Sequence, residues 1–349
     1  MAQRFDAKEA RLLLEICRYT YAAGVGDQAN AADRAETLTF IKDAKGGDPV
    51  GVRGEGNEQT SFAVVVPFQD HNVVAYMGTQ TEFDGLTKKH SVLDLFGLFS
   101  DLQKAIVSLL DWEQNVEARP VKFELDAQHL GKATGITLPD PVRVHHGFLD
   151  ELKAVQAKVV ETLKQHGGLT RPVVVTGHSQ GGAEAALATK ALAEAGFNVQ
   201  VTYTFAAPRA GNQAFVDSVT TPVHRIEFGN DIVPHLPPAV LRPMFDEFVE
   251  EHPKAGRVVK TLLATLEDHG YVGLGPLCYG STDAAGKTTF NKDMSAAEEQ
   301  ALFEERLKLL PKHVKDWGDH HHLAGTTEQT TARPPVRGNY SALVSPWFE

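Results

Sequence analysis

Apolar positions change spacing along the chain, and those changes predict its elements. The first segment, about Ala7 to Tyr21, carries apolar residues at helical spacing, and Asp6 followed by Glu9 forms a helix-capping pair at its start. A polar, Gly-rich stretch from Gly46 to Asn57 reads as loop. Two β-rich runs follow, Ser61 to Phe68 and Val73 to Met77, and the four residues between them suit a hairpin. Three further runs, Pro172 to Thr176, Val199 to Phe205 and Val223 to Phe228, read as buried strands. Helical patterns lie around and between them at Phe148 to Gln165, Gly181 to Ala195 and Asn212 to Val219. Buried strands alternating with helices predict an α/β fold with a mostly parallel sheet flanked by helices.

Two stretches depart from this alternation. Thr81 to Val142 reads as a long insertion, in which Ser91 to Trp112 has apolar residues at 92, 95, 96, 99, 102, 106 and 109, close to helical spacing, with Ser91 and Asp94 as a capping box. Leu241 to Trp317 reads as a second insertion, with a polar helix from Ser295 to Leu310. Both are taken as additions to one domain spanning residues 1–349, with 81–142 as a lid or cap and 241–317 as the second insertion.

The strongest local signal is Gly177-His178-Ser179-Gln180-Gly181, which matches the Gly-x-Ser-x-Gly nucleophile elbow. It follows the apolar run Val173-Val174-Val175 and precedes a small-residue helix opening at Gly181, the strand–turn–helix frame this chemistry needs. A serine on such a turn projects its hydroxyl above the sheet, and the free N–H groups of the helix N-terminus point at the oxyanion that develops.

Composition narrows the partners. A formal net charge of -11 argues against nucleic acid, whose phosphates are bound by neutralising them with Lys and Arg. It offers no general attraction to anionic membranes either, so lipid contact is expected to be apolar, local and transient. No transmembrane segment is read: Asp94, Asp101 and Lys104 interrupt the most apolar helix candidate. The charged N-terminus lacks a signal core, which makes cytoplasmic location the default, with secretion by another route as the alternative. The two cysteines, Cys17 and Cys278, are read as free thiols.

With these motifs in hand, the chain resembles the class 3 lipases, the family of the fungal triacylglycerol lipases and their bacterial relatives. Met77-Gly78-Thr79 looks like the oxyanion strand, His145 to Leu149 the His-x-Gly-Phe segment, and Thr176 to Ala183 the nucleophile segment. Pro208 to Asn212 and Asn230 to Pro238 complete the ordered set. The resemblance implies the α/β-hydrolase fold and a Ser–Asp–His triad in that chain order, with Ser179 as nucleophile and Asp231 as acid. The base falls in Gly318-Asp319-His320-His321-His322-Leu323, where His320 keeps the family's Asp-His pair and His322 its His-Leu pair; the order of preference is His320, His322, His321. The oxyanion hole combines the Gln180 N–H with Thr79.

No paired cysteines or His-Glu-x-x-His helix accompany the three histidines, so neither metal nor cofactor is expected. His145 and His146 are read as structural hydrogen-bonders. The implied activity is hydrolysis of medium- to long-chain acyl esters, with a phospholipase A1 or short-chain carboxylesterase as the alternative. A catalytically silent lipase-like interaction protein is the rival from another class.

Overall fold

A computed structural model describes residues 5–24, 31–54, 61–78, 119–231, 233–237, 270–282 and 288–309. The apolar helix candidate Ser91 to Trp112 lies outside these residues, as do Thr79 and the histidines at 320–322. The chain opens with helices α1 (Ala7–Gly24) and α2 (Ala31–Asp43), then strands β1 (Val50–Arg53), β2 (Phe62–Pro67) and β3 (Asn72–Tyr76). From residue 119 onward come the short elements β4 (Pro120–Val121), β5 (Glu124–Leu125), α3 (Ala127–Leu130), β6 (Ile136–Thr137) and β7 (Val144–His145). The core continues with α4 (His146–Gln165), β8 (Val173–His178), α5 (Gln180–Glu194) and β9 (Val199–Phe205). Then follow β10 (Gly211–Asn212), α6 (Gln213–Ser218), β11 (Val223–Phe228), β12 (Tyr271–Val272), β13 (Leu277–Thr282), β14 (Thr288–Met294) and α7 (Ala296–Leu309).

The central sheet runs β1-β2-β3-β8-β9-β11-β13-β14. Its middle pairings, β3–β8, β8–β9, β9–β11 and β11–β13, are parallel, whereas β1–β2, β2–β3 and β13–β14 close the two edges antiparallel. The expected hairpin is therefore present as β2–β3. The stretch Gly46 to Asn57, expected as loop, contains edge strand β1, a correction: Val52 is buried beneath it while the polar, glycine-rich flanks concealed its two-residue alternation. The segment expected as a second insertion contributes β13 and β14 to the sheet. Their polar residues, such as Thr289, Asn291 and Lys292 on an antiparallel edge, gave no apolar run to read.

Strand residues alternate between two apolar layers, as the period of two requires. Val65, Val74, Tyr76, Val173 and Val175 face one layer, with Leu152, Val155 and Val159 of α4 and Ala185, Ala188 and Leu192 of α5. Val64, Val66, Val73, Ala75 and Val174 face the other, with Ala10, Leu13, Leu14 and Cys17 of α1. Each fully buried Val or Leu contributes about 1.5–3 kcal/mol of transfer free energy, so these layers fix the sheet's register.

α1 is set by its cap. Asp6 Oδ1 accepts from the backbone N–H of Lys8 at 2.8 Å and of Glu9 at 3.1 Å, while the Asp6 N–H donates to the Tyr203 hydroxyl at 3.1 Å. That last bond replaces the reciprocal half of a capping box and docks the helix on β9. Both cysteines are buried thiols outside any disulfide. Among the described residues, no helix is long and apolar enough to cross a membrane.

Candidate active site

Ser179 occupies the turn between β8 and α5 with φ 57° and ψ -133°, outside the regions that residues with a side chain ordinarily adopt. Such a conformation costs about 1–3 kcal/mol and persists only where the surroundings impose it. Here the Ser179 N–H donates to the Phe205 carbonyl of neighbouring β9 at 2.9 Å, and its own carbonyl accepts from Gly182 N–H at 2.8 Å. The flanking glycines let strand and helix meet. A β-carbon at Gly181 would stand 2.2 Å from the Tyr76 carbonyl oxygen, and one at Gly177 would stand 2.0 Å from the Gly181 oxygen. The strain that lifts the serine is thus a product of close backbone packing.

Gln180 is the first residue of α5, so its N–H lies at the helix N-terminus beside Ser179. The end of the β3 strand passes on the other side: a β-carbon at Gly78 would come 3.1 Å from Ser179 Cβ and 2.2 Å from the Tyr21 hydroxyl. Thr79, the second expected oxyanion residue, follows directly but lies outside the described residues.

Tyr21 is a residue that sequence reasoning missed. It reaches from α1 to the elbow, where its hydroxyl lies 2.9 Å from His178 Nδ1, and burial raises its phenol pKa. His178 and the strand end at Gly78 therefore share one anchor on the N-terminal helix.

Beneath the elbow, Glu184 of α5 is buried, and Gln180 Nε2 donates to its Oε1 at 3.0 Å. Burial, reinforced by the nearby Glu151, pushes its carboxyl well above the usual range.

Asp231 is completely buried in the turn after β11. Its backbone N–H donates to the Phe228 carbonyl at 3.1 Å, and its Oδ1 accepts from Val233 N–H at 3.0 Å. Because β9 separates β8 from β11 in the sheet, the Ser179 and Asp231 turns leave the carboxyl ends of nearby parallel strands. This is the edge at which open α/β sheets place their ligands. His320, His321 and His322 lie outside the described residues. His145 instead caps α4, its Nδ1 accepting from Phe148 N–H at 3.4 Å and its ring stacked on Phe148 at 3.9 Å. His146 Nε2 lies 2.7 Å from Arg119 Nη2 and 3.2 Å from Asp150 Oδ2.

A buried ionic cluster adjoins the acid turn. Arg225 Nη1 donates to Glu227 Oε1 at 2.5 Å and Arg225 Nη2 to Glu299 Oε2 at 2.7 Å. Arg306 Nη1 donates to Glu227 Oε2 at 2.8 Å and also to His235 Nε2. Burial would raise the Glu227 carboxyl, but His235, Arg225 and Arg306 more than offset it and hold the group well below the ordinary range. Burial pulls His235 down to about 4 in spite of Glu227, so it is a neutral acceptor at its Nε2. Arg225 and Glu227 stand two apart on β11 and thus on one face, and such charges inside an otherwise apolar run were the available sign of a buried pair.

The description "lipase (class 3)" matches residues 103–241 of this chain. A secreted mono- and diacylglycerol lipase 1 of Fusarium solani is 40% identical over 102 residues, covering 28% of this chain and 30% of the relative. A lipase of Rhizomucor miehei is 42% identical over 108 residues, covering 28% of this chain and 29% of its own. The chain thus spans about 30% of the length of the curated relatives it matches. Among solved structures, a triacylglycerol lipase whose catalytic centre is a serine protease triad superimposes with a TM-score of 0.51 at 19% identity, covering 86% of this chain and 91% of that one. The Rhizomucor miehei triacylglyceride lipase does so with a TM-score of 0.50 at 18% identity, with the same coverages of 86% and 91%. These structural likenesses establish the α/β-hydrolase fold, and the central segment, residues 103–241, is similar to the class 3 lipases.

Proposed function

We propose that this protein is a serine carboxylic-ester hydrolase, a lipase or esterase that cleaves medium- to long-chain acyl esters through an acyl-enzyme. The observation that carries the reading is the left-handed backbone of Ser179 on a turn between a buried parallel strand and a helix. Ser179 attacks the ester carbonyl, and His320 takes its proton, then returns it to the leaving alcohol. Asp231 orients the imidazole and stabilises its charged form. Water, activated by the same histidine, releases the acid. The oxyanion is held by the Gln180 N–H and by Thr79, and loss of one such donor costs about 100- to 1000-fold in turnover.

The likeness of residues 103–241 to class 3 lipases and the names of the lipase relatives support an acyl ester or lipid as substrate. The segment 81–142 is taken as a lid or cap over the acyl site and 241–317 as a second insertion, within one domain. The Fusarium relative is secreted, which favours work outside the cell over the cytoplasmic default.

Hydrolysis of p-nitrophenyl esters from C2 to C16, with Ser179→Ala as control, tests the proposal. Activity that peaks at C8 or longer and vanishes in the variant is expected. A peak at short chains would make it a carboxylesterase, and equal inertness of both proteins across the series would overturn the enzymatic reading in favour of a silent interaction protein.

A further inference from the structure

The turn that carries Asp231 is gripped from outside the motif that defines it. Gly229, two residues before the acid, donates its N–H to the Gly280 carbonyl of β13 at 2.8 Å. Its own carbonyl accepts from Arg306 Nε of α7 at 2.9 Å and from the Tyr279 hydroxyl of β13 at 3.3 Å. Arg306 is held in place through its Nε and Nη1. Its Nη1 is paired with Glu227 at the end of β11, its guanidinium lies 5.1 Å from the centre of the Tyr279 ring, and its side chain is only 1% exposed. Arg225 and Glu299 extend the cluster to the first turn of α7. Helix α7 thus enters the protein's interior through an ion pair whose far side is the backbone of the acid turn.

We propose that Arg306, braced by Glu227, is a positioning residue for the catalytic acid, so that α7 is a working part of the triad's support rather than an appended helix. The proposal rests on the reading of Asp231 as the acid. Arg306 acts through the Gly229 carbonyl: it sets where the Phe228–Asp231 turn stands and, with it, the line along which the Asp231 carboxylate meets the base. A shift of about 1 Å in such a group costs up to about 100-fold in turnover. Because the substrate is not touched, the loss falls on kcat and leaves KM alone.

The test uses the full chain with p-nitrophenyl butyrate. Arg306→Lys keeps the charge beside Glu227 but loses the second arm that reaches Gly229. The double variant Glu227→Gln with Arg306→Met removes both buried charges together, which protects folding where a single neutral substitution strands a carboxylate. Each is made with Asp231 intact and with Asp231→Asn, and thermal melts verify folding. With Asp231 present, kcat falls about 10- to 100-fold at constant KM. With Asp231→Asn the same substitutions cost nothing further, since no carboxylate remains to be placed. The proposal is overturned if the folded variants keep wild-type kcat, or lose the same factor in both backgrounds. Full activity of Asp231→Asn by itself overturns the acid assignment instead, and is seen before Arg306 is altered.

Discussion

His235→Gln isolates the pH sensitivity of the buried cluster behind the acid turn. In the native protein His235 is 1% exposed, accepts from Arg306 at Nε2, and is pulled by burial from 6.5 down to about 4. An unfolded chain protonates this histidine near 6.5. Between these values the unfolded state binds the extra proton and the native state does not, so stability falls as pH falls. Each unit is worth about 1.4 kcal/mol, and the interval from pH 6.5 to 4.5 therefore removes roughly 2–3 kcal/mol. That is a large part of the roughly 5–15 kcal/mol that holds a typical domain together.

Stopping at 4.5 matters. Glu227 is held well below its ordinary value, so its contribution is present above 4.5 and is lost only as pH falls further. Urea unfolding of wild type and His235→Gln, at half-unit steps from pH 8 to 4.5, separates this histidine from the other titrating groups that both proteins share. Glutamine offers Arg306 an oxygen acceptor and cannot take up a proton in this range. The variant is expected to be the less stable at pH 8, with its disadvantage shrinking by roughly 2–3 kcal/mol towards pH 4.5. Stability curves that stay parallel across the window would refute the assignment of a neutral, buried His235.

Three further substitutions probe the elbow. Gly181→Ala forces a β-carbon to within 2.2 Å of the Tyr76 carbonyl, and the resulting displacement of the turn lowers kcat by about 100-fold in ester-hydrolysis kinetics. Tyr21→Phe leaves His178 Nδ1 without its hydroxyl neighbour and costs about 1–3 kcal/mol in denaturant unfolding, with reduced turnover because the oxyanion strand shares that anchor. Glu184→Gln keeps the oxygen that accepts from Gln180; since the native carboxyl is raised, stability is fully present below 4.5 and falls as pH rises, so the variant gains on wild type from pH 5 to pH 8 in urea unfolding.

The elements that flank Ser179 were legible because their signal is local. Val173 to Val175 is an unbroken β-branched run, Gly181 to Ala186 a small-residue helix start, and the glycines between them are needed where backbones nearly touch. The observed strand and helix, Val173–His178 and Gln180–Glu194, differ from the expected ones by a residue or two at their ends. Strands β13 and β14 were not legible, since an antiparallel edge tolerates polar residues on its open face and thus loses the apolar run. Tyr21 and Arg306 were invisible for a different reason. Their partners lie 157 and 77 residues away, and no periodicity reports such a contact.

This division has a physical cause that bears on how the site is held. The chemistry-bearing groups sit at strand ends, where local rules of turn and helix start determine their backbone. The groups that hold those turns come from the two ends of the described chain: Tyr21 from the first helix, Arg306 from the last. Tyr21, partly buried, meets the His178 ring, and Arg306, fully buried, meets backbone and Glu227; burying such polar groups is costly without partners. Glu227 makes the point most sharply. An ionised carboxylate with no exposed surface depends on the Arg225 and Arg306 beside it, so the loss of helix α7 would leave Glu227 with only one of the two arginines, next to the Asp231 turn. Local sequence specifies where the turn begins; a helix far beyond it in the chain determines how firmly it stands.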